Sequence, residues 1–347
     1  MVTTSDNQTV QPSPASPPAD PYAIQVDGVT KQFGFTVAVN NVSFDVKKGE
    51  IVGFLGPNGS GKSTTMRLIT SYYTPDKGRV LVNGIDNQAH DVETRKMIGY
   101  LPENNPIYGD LLVSEYLSFV ADLRGLSPAQ KREGIARAVE ETGIQEVFYN
   151  PLSQCSKGYK QRSGLAQAIL HQPEILIMDE PTEGLDPNQR VPIRELIRTL
   201  GTKYGRTVML STHVLQEVQQ VCDRLLIIRR GKIVAQGTVE ELRKQAHGNR
   251  YVEMEVEGAD VEVALAGIPA ISGVERLSPV GARQRFRLSI AGEGDPRPEI
   301  FKLAKGRDWV LWDLHEEATR LDDLFHKLTA DDAPSERPAA TPETKEA

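Results

Sequence analysis

The stretch EIVGFLGPNGSGKST, residues 50–64, restricts this chain more than any other. Gly56, Gly61, Lys62 and Ser63 meet the spacing G-x-x-x-x-G-K-S/T. Glycine serves any tight turn, but here the flanks are also supplied. EIVGFL reads as a buried strand, and GKSTTMRLIT reads as a helix with apolar Met66, Leu68 and Ile69. A strand, a glycine-rich loop and a helix N-terminus let backbone N–H groups surround phosphates. The whole loop (Gly56, Pro57, Asn58, Gly59, Ser60, Gly61, Lys62, Ser63 and Thr64) is therefore assigned to a nucleotide. In that pattern Lys62 reaches the β- and γ-phosphates and the Ser63 hydroxyl ligates Mg²⁺.

Composition narrows what can surround this loop. The 347 residues suggest about two domains. A net charge of −7 argues against a nucleic-acid partner held through a basic surface. Much of that charge lies in the ends: Asp6 and Asp20 stand without a base, and five acids in residues 331–347 face only Arg337 and Lys345. Two cysteines, Cys155 and Cys222, are too few for a disulfide scaffold and point to a reducing compartment. No stretch approaches the ~20 apolar residues of a membrane helix, and residues 1–20 lack the basic and apolar regions of a secretory signal. Direct membrane insertion is not expected; a partner must supply any membrane.

Residues 1–21 and 331–347, rich in Pro, Ser, Thr and Ala, read as disordered tails. Between them, apolar runs (AIQVDGV, VSFDV, EIVGFL, RVLVNG, MIGYL, EILIMD, TVMLST, DRLLIIRRG, KIVAQG) alternate with predicted helices at 61–71, 113–124, 127–142, 157–171, 188–203 and 214–221. Near-continuous apolar strands alternating with helices predict a parallel-sheet α/β core. TVEELRKQAH predicts a helix capped by Thr238. After about residue 246 the pattern changes. RYVEMEVEG and RQRFRLSI alternate as half-buried strands, PEIFKLAKG is helical and WVLWDL is another strand, so residues 246–330 predict a small α+β accessory domain.

EILIMDEP ends a buried strand with Asp179 and Glu180. Adjacent carboxylates there are costly unless a cation or substrate uses them. Beside a phosphate loop, Asp179 holds Mg²⁺ through water and Glu180 polarises the water that attacks the γ-phosphate. In SQCSKGYKQR, Ser156 and Gly158 sit where a helix begins and form a second anion cradle. A serine there is by itself a plain N-cap. Two such helix ends and one phosphate loop invite an arrangement in which the second end closes over a nucleotide held by another subunit.

In this order the features resemble the ATP-binding cassette (ABC) ATPases over residues 23–245. CSKGY is similar to the family signature LSGGQ, keeping Ser156 and Gly158 but carrying Cys155, Lys157 and Tyr159. LIMDE is similar to the Walker B strand, GLDP (Gly184 to Pro187) to the D-loop with Asp186 at the dimer seam, and STH to the switch that places His213 near the γ-phosphate. Phe33 in KQFGF falls where the family stacks an aromatic ring on adenine. The family's Q-loop glutamine is replaced by Glu103 in GYLPENNP; a carboxylate can also ligate Mg²⁺. YLPENNPIYGDLLVSEYL and ATRLDDLFHKLT resemble the ABC-2-type exporter ATPases that include the gliding-motility ATPase.

The resemblance implies a P-loop NTPase fold of residues 22–245, with a RecA-like core and a helical subdomain. It implies ATP and Mg²⁺, the latter held by Ser63, Glu103 and Asp179, and catalysis by Glu180, His213 and Lys62. It further implies a homodimer that sandwiches ATP and powers a separate integral membrane permease from the cytoplasmic face of the cell membrane. Residues from Glu103 to about 125 would meet that permease. A soluble ABC ATPase acting on a ribosome or DNA is the alternative. Against it stand the single phosphate loop, the absence of heptads or a cysteine cluster in the about 90 residues between Lys62 and Ser156, and the net acidity. A kinase or GTPase would have no use for the signature or the switch.

Overall fold

The run IVGFL shows how the molecule is layered. All of its residues are buried, and they alternate between two cores: Ile51 and Leu55 face one cluster, Val52 and Phe54 the other. A strand buried on both faces needs a layer on each side of its sheet, and the two clusters are those layers. The structure, a computed structural model, describes residues 21–246, 250–281, 283–292, 294–317 and 325. The predicted tails, apart from Pro21, whose carbonyl accepts from the Lys48 amide, and most of ATRLDDLFHKLT lie outside the described residues.

The elements in chain order begin with β1 (Tyr22–Phe33), β2 (Thr36–Lys47), β3 (Ile51–Leu55), α1 (Lys62–Ile69), β4 (Lys77–Val82) and β5 (Ile85–Asp86). There follow α2 (Asp91–Met97), β6 (Ile98–Leu101), α3 (Val113–Leu123), α4 (Pro128–Thr142), α5 (Lys157–Ile169), β7 (Ile175–Asp179), α6 (Pro187–Thr202) and β8 (Thr207–Thr212). Next come α7 (Leu215–Val221), β9 (Arg224–Arg229), β10 (Lys232–Thr238) and α8 (Val239–Ala246). The remaining elements are β11 (Arg250–Glu257), α9 (Val261–Leu265), β12 (Ile271–Val280), β13 (Arg283–Ile290), α10 (Arg297–Gly306) and β14 (Val310–Glu317).

The central sheet has the order β10-β9-β3-β8-β7-β6, with β9, β3, β8, β7 and β6 parallel and β10 antiparallel at the edge. Its strands repeat the alternation of β3. Leu176, Met178, Val208, Leu210, Leu225 and Ile227 join one cluster with residues of α3 to α7; Ile175, Ile177, Met209, Leu226 and Ile228 join the other. The second cluster is closed by a separate antiparallel sheet, β2-β1-β4-β5, together with Met66, Leu68 and Ile69 of α1. That sheet is a departure from the predicted parallel core. Its β1–β2 hairpin turns at Gly34, whose φ of 56° an L side chain rarely adopts.

Several helix starts follow their local chemistry. Ser127 and Gln130 form a reciprocal capping box ahead of α4, and Thr238 and Glu241 cap α8 in the same way. The C-terminal elements form a third sheet, β12-β13-β11-β14, all antiparallel, with its own cluster of Val252, Met254, Phe286, Leu288 and Ile300 among others. Of the ATRLDDLFHKLT segment, Phe325 packs against the first cluster, which holds the α3–α7 side of the central sheet.

Candidate active site

Parallel strands deliver their carboxyl ends to one edge, and in an open α/β sheet that edge is where ligands bind. Here β3 ends at Leu55, paired in register with Thr212 of β8, and Asp179 at the end of β7 is paired with Ser211. The phosphate loop, the Asp179–Glu180 pair and the turn carrying His213 therefore leave the sheet side by side. Ala38, Asn58, Gly59, Gly61, Lys62, Ser63, Thr64, Glu103, Glu180, Glu183 and His213 line one cavity of about 400 Å³.

The loop is fixed by its backbone. Gly61 adopts φ 108°, and a Cβ there would lie 2.5 Å from the Ala38 carbonyl oxygen. Only glycine combines that conformation with that approach. At Gly56 a Cβ would meet the Ile228 carbonyl oxygen at 2.4 Å. The Gly231 amide donates to the Ser60 carbonyl at 2.8 Å, which ties the loop to the β9–β10 turn. Lys62, only 5% exposed, donates from Nζ to the carbonyls of Gly56 at 2.8 Å and Pro57 at 3.3 Å. Its ammonium thus lies folded back along the loop it belongs to.

The acids are arranged around this cation and the adjacent serine. Asp179 is fully buried; its Oδ1 accepts from Ser63 Oγ at 3.1 Å and from Ser211 Oγ at 2.5 Å. Its Oδ2 is buried with no hydrogen-bond partner. A buried carboxylate oxygen left over beside a hydroxyl is a donor set for a hard, oxygen-seeking cation, and the residues present fit Mg²⁺. The negative charge extends to β6, where the Tyr100 phenol is pushed up to about 12, first by burial and then by the charge of Asp179.

Glu180 takes up φ 48°, a left-handed conformation unusual outside glycine. Its amide donates to Ser211 Oγ at 3.0 Å, and its carbonyl accepts from the Glu183 amide at 3.0 Å. The turn aims the side chain back over the loop. Oε1 lies 3.2 Å from Lys62 Nζ, within ion-pair range but without hydrogen-bond alignment, and Oε2 lies 3.1 Å from His213 Nδ1. Glu183 Oε2 lies 3.8 Å from the same ring nitrogen. A carboxylate held between a lysine and an imidazole can hold and polarise a water while the lysine balances its charge.

The second anion cradle stands apart. Ser156 caps α5, its Oγ accepting from the Tyr159 amide at 3.3 Å. Ser156 and Gly158 line a different cavity, of about 300 Å³, with Tyr159, Arg162, Asn188 and Gln189. Asp186 caps the neighbouring α6, its Oδ1 accepting from the Gln189 amide at 2.9 Å. Phe33 is 42% exposed, packs edge-on against Tyr73 at a centroid distance of 5.1 Å, and is not among the residues lining the phosphate-loop cavity.

Within one chain, then, the loop, Glu103, Asp179, Glu180 and His213 come together, while Ser156, Gly158, Asp186 and Phe33 do not join them. Sequence reasoning missed Ser211, Glu183 and Ala38. Ser211 carried a usable signal, since it is the first residue of the STH switch motif at the end of a buried strand. Ala38 contributes through its position in the hairpin, which leaves no mark in residue type.

Comparison with known proteins agrees with this geometry. A family model described as "ABC transporter" matches residues 39–183. The chain is 31% identical over 306 residues to the linearmycin resistance ATP-binding protein LnrL of Bacillus subtilis, covering 88% of this chain and 98% of that protein. It is 32% identical over 316 residues to the Nod factor export ATP-binding protein I of Ralstonia nicotianae, covering 88% of this chain and 93% of that protein. Among solved structures, the dimeric structure of MJ0796, a bacterial ABC transporter cassette, superposes with a TM-score of 0.57 at 26% identity, covering 62% of this chain and 98% of that one. A P-loop carrying the full phosphate motif, a strand-end carboxylate pair and a switch histidine thus meet relatives matched over nearly their whole length: the chain belongs to the ABC transporter family of ATP-binding proteins and is an ATPase.

Proposed function

We propose that this chain is the ATP-hydrolysing subunit of an ABC-2-type exporter, working as a homodimer on a separate integral membrane permease. The observation that carries the reading is the separation of the two cradles. The phosphate loop faces Asp179, Glu180 and His213, whereas Ser156 and Gly158 open onto another cavity beside α6. A second copy, turned so that its α5 N-terminus meets the first copy's loop, would complete each nucleotide site, with Asp186 of each copy at the seam. MJ0796, whose cassette shares the fold, is described as a dimer. The names of the relatives, a resistance protein and an export protein, support the transport direction.

In this reading the Gly56–Thr64 amides and Lys62 hold the phosphates, Phe33 meets the adenine, and Ser63, Asp179 and Glu103 provide the oxygen donors for Mg²⁺. The cation, when bound, neutralises charge on the β- and γ-phosphate oxygens. Glu180 takes the proton from the attacking water while His213 holds the carboxylate and the γ-phosphate in line. Positioning and charge stabilisation supply the rate, and closure by the second copy excludes water. Residues 22–245 form the ATP-binding unit, and residues 246–330 an accessory module. Among the described residues no helix is long and apolar enough to cross a membrane, so attachment to the inner face of the cell membrane would come through the permease.

The test is capture of partners with Glu180→Gln in the presence of ATP from detergent-solubilised host cells, read by mass spectrometry. A stoichiometric protein with about six hydrophobic spans is expected. Recovery of ribosomal or DNA-bound proteins with no integral membrane protein would overturn the transporter reading in favour of a soluble ATPase.

A further inference from the structure

One buried carboxylate lies outside the constellation just described yet bonds the segments that carry Glu180 and His213. Glu217, in the first turn of α7, is 5% exposed. Its Oε2 accepts from Thr182 Oγ1 at 2.6 Å and from Thr212 Oγ1 at 3.1 Å, and its Oε1 accepts from Arg190 Nη1 at 3.4 Å. Thr182 lies two residues beyond Glu180, and Thr212 immediately precedes His213. Arg190 lies in the first turns of α6, and its Nε donates to the Leu185 carbonyl at 2.9 Å, next to the N-cap Asp186.

We propose that Glu217 is a positioning residue: its carboxylate clasps the turn after Glu180, the switch before His213 and the Asp186-bearing end of α6 into one unit. The inference rests on the roles proposed above for Glu180 and His213.

Glu180 holds a left-handed backbone at φ 48°, and such a conformation persists only where its surroundings fix it. Ser211 fixes the Glu180 amide from one side; Thr182, pinned to Glu217, fixes the chain just beyond. The same oxygen holds Thr212, whose Oγ1 also accepts from the Val214 amide at 3.1 Å and so closes the turn around His213. A carboxylate is the group that can serve three donors at once: it offers acceptor oxygens only, and a charged acceptor roughly doubles the strength of each bond. Buried networks of this kind, when every member is satisfied, specify one arrangement. Through Arg190 the clasp reaches the end of α6 that a second copy would press upon. A shift at Asp186 is thereby felt at the base and the histidine together.

The experiment is steady-state ATP hydrolysis and equilibrium ATP binding by the full chain carrying Glu217→Gln, Thr182→Val or both, with Glu180→Gln as comparator. Glu217→Gln keeps the volume but replaces an acceptor oxygen by a donor that none of the three partners needs. The expected result is a kcat lowered about 10- to 100-fold, with the KM and Kd for ATP within about twofold of the parent. Thr182→Val should lower kcat in the same direction, and the double variant should fall little below Glu217→Gln alone. Should Glu217→Gln not fold, Thr182→Val carries the same test, because valine retains the shape of threonine. A kcat within about twofold of the parent in both variants overturns the clasp, as does a parallel loss of kcat and nucleotide affinity, the mark of a merely structural brace. Unchanged turnover in Glu180→Gln would instead overturn the base assignment, so the two failures are distinguishable.

Discussion

The Lys62 ammonium lies 3.2 Å from the Glu180 carboxylate, and both side chains are more than nine-tenths buried. The cation assigned to the phosphates and the group assigned to the water therefore share one electrostatic environment, with His213 on the far side of the carboxylate. Glu180→Gln keeps the hydrogen-bonding reach towards His213 and removes only the charge and basicity. Turnover should fall by about 10²–10⁴, with ATP binding retained and an ATP-bound dimer accumulating. Hydrolysis assays combined with size-exclusion chromatography in ATP check this; undiminished turnover would remove Glu180 from the base role.

Lys62→Ala acts on binding. In the proposed site the side chain would give a charged donor to the phosphates, and its bonds to the Gly56 and Pro57 carbonyls brace the loop. A charge-assisted hydrogen bond is worth about 1.5–3 kcal/mol, so the Kd for ATP should rise roughly 10- to 100-fold. Titration calorimetry measures it directly, and an unaltered Kd would mean that the loop holds something other than the nucleotide phosphates.

What the sequence disclosed follows the range over which its signals act. The phosphate loop, the strand-end acids and the switch are contiguous words, each carrying its chemistry within a few residues, and the structure gathers the loop, Asp179, Glu180 and His213 at one sheet edge. Strand direction is a non-local property. The runs from Tyr22 to Asp86 read as strands, but nothing in them says that they pair antiparallel with one another rather than joining β3. β12 escaped notice because it is largely exposed and carries Gly273 and Pro279, so its alternation is faint. α9 has five residues, less than the window a helical period needs. Glu217 was illegible for a further reason: its partners come from positions 182, 190 and 212, which only the fold brings together.

Glu103 tests the departure from the family pattern. It lines the phosphate-loop cavity together with Ser63 and Glu180. As a Mg²⁺ ligand a carboxylate or an amide oxygen can each serve, so Glu103→Gln should change ATP affinity by less than about fivefold. A larger loss in a binding titration would show that the charge at this position does more than ligate through the cation.

Acid stability offers a prediction independent of the nucleotide. His171 follows α5, its Nε2 lying 3.2 Å from the Ile98 carbonyl, and its Nδ1 is buried without a partner. Burial, reinforced by the nearby Arg124 guanidinium, lowers its pKa from 6.5 to about 4. The folded state thus keeps this imidazole neutral where the unfolded chain protonates it. Stability associated with the site is fully present above pH 6.5 and declines as the pH falls, because the unfolded state then binds the extra proton; the decline ends near pH 4, where the folded state takes up the proton too. Between pH 6.5 and 5 the loss is on the order of 1–2 kcal/mol. His171→Gln, which retains a donor for the Ile98 carbonyl but does not titrate, should lower stability at neutral pH modestly and remove this part of the acid dependence. Urea denaturation of both proteins at pH 7 and pH 5 measures the difference; equal pH slopes would place the acid sensitivity elsewhere.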